Sequence, residues 1–356
     1  MAERMRILVT GATGNVGSQL RPQLLGHPLV TSVAGLARRL PADRDPRVAW
    51  TSVDLAEGDL RPLVRGADVV VHLAFLLQPA HDPAEMHRVN IGGTRRLLEA
   101  VLAEGVPALV HASSVGAYSP GPKSPRAGED HPTNGVSSST YSRHKAQVER
   151  MLDDLERDHP ERRVVRIRPG IVLQADAASE LARYFLGPFL PQSLVRRSLL
   201  PVVPRVDRLA IQAVHAEDVA RAFVLAATTP VSGAFNVAAE PVLDADTLGA
   251  ALGARQVPLP APLVRAAVDI TWRLHLQPTD PGWVDLGRLT PLMDTTRARE
   301  VLGWIPSHTA TDALVETVDA MGRGRGGRSP VLRPRTLPGR LLEVARALTP
   351  GARGTG

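Results

Sequence analysis

Three glycines constrain this chain more than any other feature. The stretch "TGATGNVG" sets Gly11, Gly14 and Gly17 between the apolar run "RILVT" (6–10) and the helical stretch "SQLRPQLL". Small residues at such a junction let backbone approach a pyrophosphate. The start of the following helix offers free N–H groups and the positive end of its dipole. A tight turn that binds nothing could use the same glycines, but their place after the first strand favours a phosphate cradle.

The rest of the first half keeps the same cadence. Apolar runs at 30–37, 48–55, 68–74, 108–114 and 163–172 read as strands, separated by helical stretches that include 88–105 and a helix containing "YSRHK" (141–145). Strand and helix in alternation predict an α/β fold, a Rossmann-type doubly wound parallel sheet. From about residue 175 the pattern loosens into Pro-rich and helical segments, as expected of a smaller C-terminal substrate lobe woven onto the core. The expected organisation is a dinucleotide-binding domain over 1–174, the substrate lobe over 175–321 and a basic, flexible tail over 322–356 with a short docked helix at 341–348.

Charge and composition narrow the function classes. The tail holds eight arginines and one acid, a net of +7, which leaves the first 321 residues at −1 within a total of +6. The basic character therefore belongs to the tail, and with few aromatics there no specific nucleic-acid partner is expected. No apolar run reaches the roughly 18 residues of a membrane span, and no leader pattern precedes the first strand. With no cysteine in the chain, thiolate chemistry is excluded and a cytoplasmic location is compatible. The 11 histidines are scattered without paired spacing, so no metal is expected. His72 and His111, inside strands, read as satisfied core residues, and His81, His87, Asp82 and Glu85 as a capped or solvated helix start.

The end of the second strand bears on NAD against NADP. Where an acid would hold a ribose diol stands Ala37, followed by Arg38 and Arg39, which favours NADP(H) over NAD; two arginines there would also suit a solvated turn.

With these pieces in line, the chain resembles the extended short-chain dehydrogenase/reductase superfamily, also called the NAD-dependent epimerase/dehydratase family, over roughly residues 5–320. "TGATGNVG", "VDL" (53–55), "HLA" (72–74), "VNIGGTRRLLEA", "HASSVGAY", "YSRHK", "RIRPGIV", "QAVHAEDVARA" and "DTTRAREVLGW" follow one another in that family's order. The resemblance implies catalytic Ser114, Tyr141 and Lys145. It implies cofactor contacts from Gly11, Thr13, Gly14, Asn15, Val16, Gly17, Arg38, Asp54, Leu55, Leu73, Ala74, Asn90, Ser113 and Pro169, with Tyr141 and Lys145 reaching the cofactor as well. Lys145 and a positive nicotinamide would both lower the Tyr141 pKa from about 10, making it an acid/base near neutral pH.

The implied activity is hydride transfer between nicotinamide and a carbonyl or alcohol carbon. "GIVLQADA" lacks the Tyr-Gly-Pro-like continuation of the family's nucleotide-sugar enzymes, which weakens a sugar substrate. A nucleotide-sugar epimerase or dehydratase with tightly bound NAD is the alternative, and a dinucleotide-sensing regulator without turnover is a third. Loops at 75–83, 119–139 and 184–205 are expected to line the substrate pocket, with Phe75, Leu76 and Leu77 favouring an apolar ligand. A homodimer through helices 88–105 and 140–157 is expected by analogy.

Overall fold

Residues 5–10 form an inner strand because Ile7, Leu8 and Val9 at its middle are apolar on both faces, as a strand covered by helices on either side must be. The structure, a computed structural model, describes residues 4–77, 82–187, 195, 197 and 201–334. Its strands are β1 (Met5–Thr10), β2 (Val30–Ala37), β3 (Val48–Ser52), β4 (Val69–His72), β5 (Ala108–Ala112), β6 (Arg163–Pro169), β7 (Ile171–Leu173), β8 (Val202–Arg205), β9 (Ile211–His215), β10 (Gly233–Val237), β11 (Ala239–Leu243) and β12 (Arg255–Pro258). Seven strands make an all-parallel sheet in the order β10-β6-β5-β4-β1-β2-β3. The order reverses at β1, so the crevice for a ligand lies above the carboxyl ends of β1 and β4.

Helices cover both faces: α1 (Asn15–Leu25), α2 (Arg61–Val64), α3 (Pro83–His87), α4 (Thr94–Ala103), α5 (Thr140–Asp158), α6 (Ala178–Phe185) and α7 (Ala216–Thr228). On one face Val9, Val71, Val110 and Val165 pack with Leu20 and Leu24 of α1 and Val219 and Phe223 of α7. On the other, their strand neighbours Leu8, Val70, Leu109 and Val164 pack with Leu97 and Val101 of α4 and Val148 and Leu152 of α5. Each such side chain contributes roughly 1.5–3 kcal/mol by leaving water.

From residue 163 onward the chain departs from its sequence reading in three ways. The run 163–172 is two strands: after Pro169 the chain leaves the main sheet, and β7 pairs with β9 in a three-stranded sheet with β11. The edge strand β10, "GAFNV", was not expected, since five residues opening on glycine carry little strand signal. The lobe also holds the parallel pair β8–β12, with helices α8 (Ala245–Leu252), α9 (Ala261–Arg273), α10 (Gly282–Leu289), α11 (Thr296–Glu300) and α12 (Ala310–Gly322).

Residues 323–334, the first part of the segment read as a basic tail, lie against the body, with Ser329 and Leu332 buried. The helix expected at 341–348 and most of the 188–200 stretch lie outside the described residues, as do residues 78–81, including His81. Among the described residues, no helix is long and apolar enough to cross a membrane.

Candidate active site and cofactor crevice

The glycine loop closes the switch point. Gly11 has φ +67°, and a Cβ on it would stand 2.7 Å from the Ala74 backbone nitrogen; only glycine suits both demands. A Cβ on Gly17 would lie 2.6 Å from the Gly11 carbonyl oxygen. Gly14 is the N-cap of α1, with no side chain capping the helix, so first-turn N–H groups face the crevice. Val16 packs on the core. The Asn15 side chain is committed elsewhere: it donates to the Val172 carbonyl at 3.0 Å and accepts from Gln174 Nε2 at 2.6 Å. Thr13 is buried, and its carbonyl accepts from Ser329 Oγ at 2.6 Å.

At the outer end of the crevice, Ala37 is buried and Arg38 exposed. Asp54 accepts from the Ala56 N–H at 2.9 Å and from Arg88 at 3.2 Å. Burial pushes its pKa up, but these donors and the nearby Arg38 outweigh it and hold the carboxyl below its ordinary value. Leu55 is buried beneath, while Leu73 and Ala74 lie half-buried along the strand end.

Helix 88–105 opens with a π-helical turn, Arg88–Gly93, in which Asn90 is fully buried. Its amide clamps Leu76 from both sides, accepting from the N–H at 2.7 Å and donating to the carbonyl at 2.9 Å. Asn90 thereby holds the segment that borders the crevice.

Ser139 caps α5 by accepting from the Ser142 N–H at 3.3 Å. The helix then sets Tyr141, Lys145 and Glu149 in one stripe at i, i+4 and i+8. Each meets a different part of β5 and its end. Tyr141 shares a hydrogen bond with the Ser114 hydroxyl, which also accepts from the Gly116 N–H at 3.0 Å. Lys145 Nζ donates to the Ala112 carbonyl at 2.7 Å and stands 3.6 Å from the centre of the Phe75 ring. Glu149 accepts from Ser113 Oγ at 2.5 Å and is held by Arg168 at 2.8 and 2.9 Å.

Ser113 and Ser114 therefore point to different partners, one behind the helix and one toward Tyr141. Pro169 is buried at the end of β6.

The electrostatics differ from the expected lowering of Tyr141. Burial pushes the Tyr141 hydroxyl up to about 12, against the Ser114 hydrogen bond. Burial also pulls Lys145 down to about 7, opposed by Glu149. The protein groups alone thus leave Tyr141 protonated, because burial outweighs the Ser114 hydrogen bond.

Aromatic rings wall the hydroxyl pair: Trp283 stacks on Tyr141 at 5.1 Å, Phe75 meets it edge-on at 5.6 Å, and Phe185 abuts Trp283 at 5.1 Å. Trp283, Arg88, Gln174 and Ser329 were not singled out from the sequence, since nothing near them in the chain marks them.

The histidines resolve differently. His72 is satisfied by Thr10 at 2.7 Å and Thr94 at 3.0 Å, whereas neither ring nitrogen of buried His111 has a hydrogen-bond partner among the described residues, contrary to expectation. Asp82 caps α3 by accepting from the Glu85 N–H at 3.0 Å. His215 and Glu217, two residues apart, and the distant His308 bring ligand-type atoms within 4.8 Å of one another. The His215 Nδ1 accepts from the Glu217 N–H at 3.2 Å, and Asp218 engages His308 Nδ1 at 3.1 Å. The cluster reads as a helix cap tied to a neighbouring loop.

A parallel sheet with a glycine-lined switch point at its carboxyl edge is the architecture of a dinucleotide-binding fold class. Residues 7–238 match the family described as NAD dependent epimerase/dehydratase, and the chain belongs to it. The chain is 29% identical over 331 residues to UDP-glucose 4-epimerase of Mycolicibacterium smegmatis, covering 88% of this chain and 98% of that one. It is 28% identical over 192 residues to a farnesyl-dihydroquinoline-oxide ketoreductase of Stigmatella aurantiaca, covering 53% of this chain and 54% of that one.

Among solved structures, the Thermus thermophilus UDP-glucose 4-epimerase in complex with NAD superposes with a TM-score of 0.66 at 25% identity, covering 90% of this chain and 99% of that one. The chain spans about a third of the length of the first curated relatives it matches, mycobacterial proteins described as uncharacterized.

Proposed function

We propose that this chain is a nicotinamide-dependent oxidoreductase that reduces a carbonyl, or oxidises the matching alcohol, on an apolar, ring-bearing molecule. The observation that carries this reading is the aromatic wall of Phe75, Trp283 and Phe185 around Tyr141. Such rings bury flat apolar surface well and offer a sugar few hydrogen bonds.

The crevice fits a dinucleotide. Close backbone packing at Gly11 and Gly17, and the uncapped first turn of α1 at Gly14, leave a cradle of N–H groups for a pyrophosphate. When bound, the nicotinamide ring supplies or accepts the hydride. Tyr141 holds its proton at neutral pH and donates it to the carbonyl oxygen, while Ser114 hydrogen-bonds that oxygen. Lys145, which donates to the Ala112 carbonyl and lies against Phe75, is the residue that would hold a ribose hydroxyl of the bound dinucleotide. Residues 1–174 hold the dinucleotide, and the lobe over 175–321 contributes Phe185 and Trp283 to the substrate wall. NAD is the dinucleotide named with the Thermus relative; Ala37 and Arg38 favour acceptance of a 2′-phosphate as well.

The test is absorbance at 340 nm with NADPH or NADH and a panel of aryl ketones and quinones. Net oxidation of the reduced dinucleotide supports the reading, and no consumption with any carbonyl overturns it. The match along 98% of the M. smegmatis enzyme favours a second reading, nucleotide-sugar epimerisation. In that case UDP-glucose and UDP-galactose would interconvert with no net change at 340 nm.

A further inference from the structure

We propose that residues 323–334 form a strap that holds the glycine loop in its phosphate-binding shape, with Ser329 as a positioning residue for the dinucleotide. The inference rests on the dinucleotide reading above.

The strap is built into the fold. After α12 the chain turns back on itself, with the Arg325 N–H donating to the Ala320 carbonyl at 2.9 Å. Ser179 of α6 donates to the Arg325 carbonyl at 2.8 Å, and Arg183 donates to the carbonyls of Arg333, at 2.9 Å, and Val331. The Gly327 N–H donates to the Leu332 carbonyl at 2.8 Å, and the Leu332 N–H to the Ser329 carbonyl at 3.1 Å. That loop buries Leu332, which is 1% exposed, and Ser329, which is 5% exposed. The outer pair Arg328–Asp43, at 3.1 Å, is largely exposed on both sides and contributes little.

The tip of the strap meets the glycine loop at one atom. Ser329 Oγ donates to the Thr13 carbonyl at 2.6 Å across 316 residues of chain. That oxygen and the N–H of Gly14 belong to one planar peptide unit. A donor on the oxygen therefore fixes the direction of the N–H, which points to the Gly11 carbonyl at 3.0 Å. Gly14 caps the helix whose first turn would receive the pyrophosphate, so the strap sets that turn from outside without touching the ligand.

The experiment compares full-length wild type, Ser329→Ala, Ser329→Thr and Arg183→Met. Kd for NADH and NADPH is read by fluorescence titration, thermal stability by unfolding, and loop order by hydrogen exchange of the peptide covering 11–20. Losing one buried hydrogen bond predicts a Kd about three- to tenfold higher in Ser329→Ala. Faster exchange over 11–20 accompanies it, and Tm stays within about 3 °C. Ser329→Thr restores binding. Arg183→Met, which loosens the strap without altering the loop's own contacts, gives a smaller rise in the same direction. Unchanged Kd in both Ser329→Ala and Arg183→Met overturns the strap's role while leaving the dinucleotide reading intact. Loss of binding that only tracks a large fall in Tm overturns it too, making Ser329 a general stability residue. Failure of the wild type to bind either dinucleotide removes the cofactor reading and this inference with it.

Discussion

Lys145 and Phe75 form a cation–π pair, with the ammonium 3.6 Å from the ring centre inside the crevice. Burial lowers Lys145 to about 7, from 10.5 when exposed. Between those values the unfolded chain carries a proton on this lysine that the folded chain has released. Stability therefore rises with pH across that window, by at most about 1.4 kcal/mol per unit. Lys145→Met removes this increment. Urea unfolding at pH 7, 8 and 9 should show the wild type gaining on the variant, and parallel profiles would refute the lowered pKa.

Tyr141 is expected to separate chemistry from binding. With its hydroxyl pushed up to about 12, it stays a proton donor through neutral pH. Tyr141→Phe should reduce carbonyl turnover by about 10²- to 10⁴-fold. Dinucleotide Kd should change by less than about threefold, because the hydroxyl is hydrogen-bonded to Ser114 and its role is to give a proton to the carbonyl oxygen rather than to hold the cofactor. Equal losses in turnover and affinity would make Tyr141 a binding residue.

Arg38 lies close enough to Asp54 to help lower its pKa, at the end of a strand that closes on Ala37. Arg38→Asp places a carboxylate beside any 2′-phosphate. NADPH should then bind at least about tenfold more weakly, since each 1.4 kcal/mol is a factor of ten, while NADH changes little. A matched loss for both dinucleotides, read by tryptophan quenching, would assign Arg38 to the surface turn.

Glu149 is fully buried between Arg168, Arg166 and Ser113. Burial works against its charge, yet those partners hold its pKa below 4.5. Removing one partner from a buried pair costs about 3–5 kcal/mol, so Glu149→Gln should lower unfolding stability by roughly that amount at neutral pH. A carboxyl with a depressed pKa stabilises above its unfolded value and loses that contribution as pH falls through the folded one. The acid limb of the variant should therefore be shallower than that of the wild type. Measured stability within about 1 kcal/mol of wild type would mean the arginines find other acceptors, Asp153 and Glu156 being nearest to Arg166.

Much of the site was legible because its signals are local. Gly11, Gly14 and Gly17 lie on one turn, so their spacing marks the loop, while Tyr141 and Lys145, one helical turn apart, stand out only through the family pattern around them. Ser114 follows from the place of "HASSVGAY" in the family's order. The strands 69–72 and 108–112, "VVVH" and "ALVHA", appear in sequence because a sheet buried on both faces favours near-continuous apolar runs. The edge strand at 233–237 has no such run.

The chain's own order of residues sets the strand and helix periodicities, the glycine turn and the Tyr141–Lys145 spacing, because these depend on neighbours a few positions apart. Tertiary packing decides what no local pattern encodes. It brings Trp283 onto Tyr141, Gln174 onto Asn15 and Ser329 onto Thr13. It also moves the pKa of Tyr141 upward and that of Lys145 downward, since desolvation comes from segments distant in sequence that close over the site only when the chain is folded.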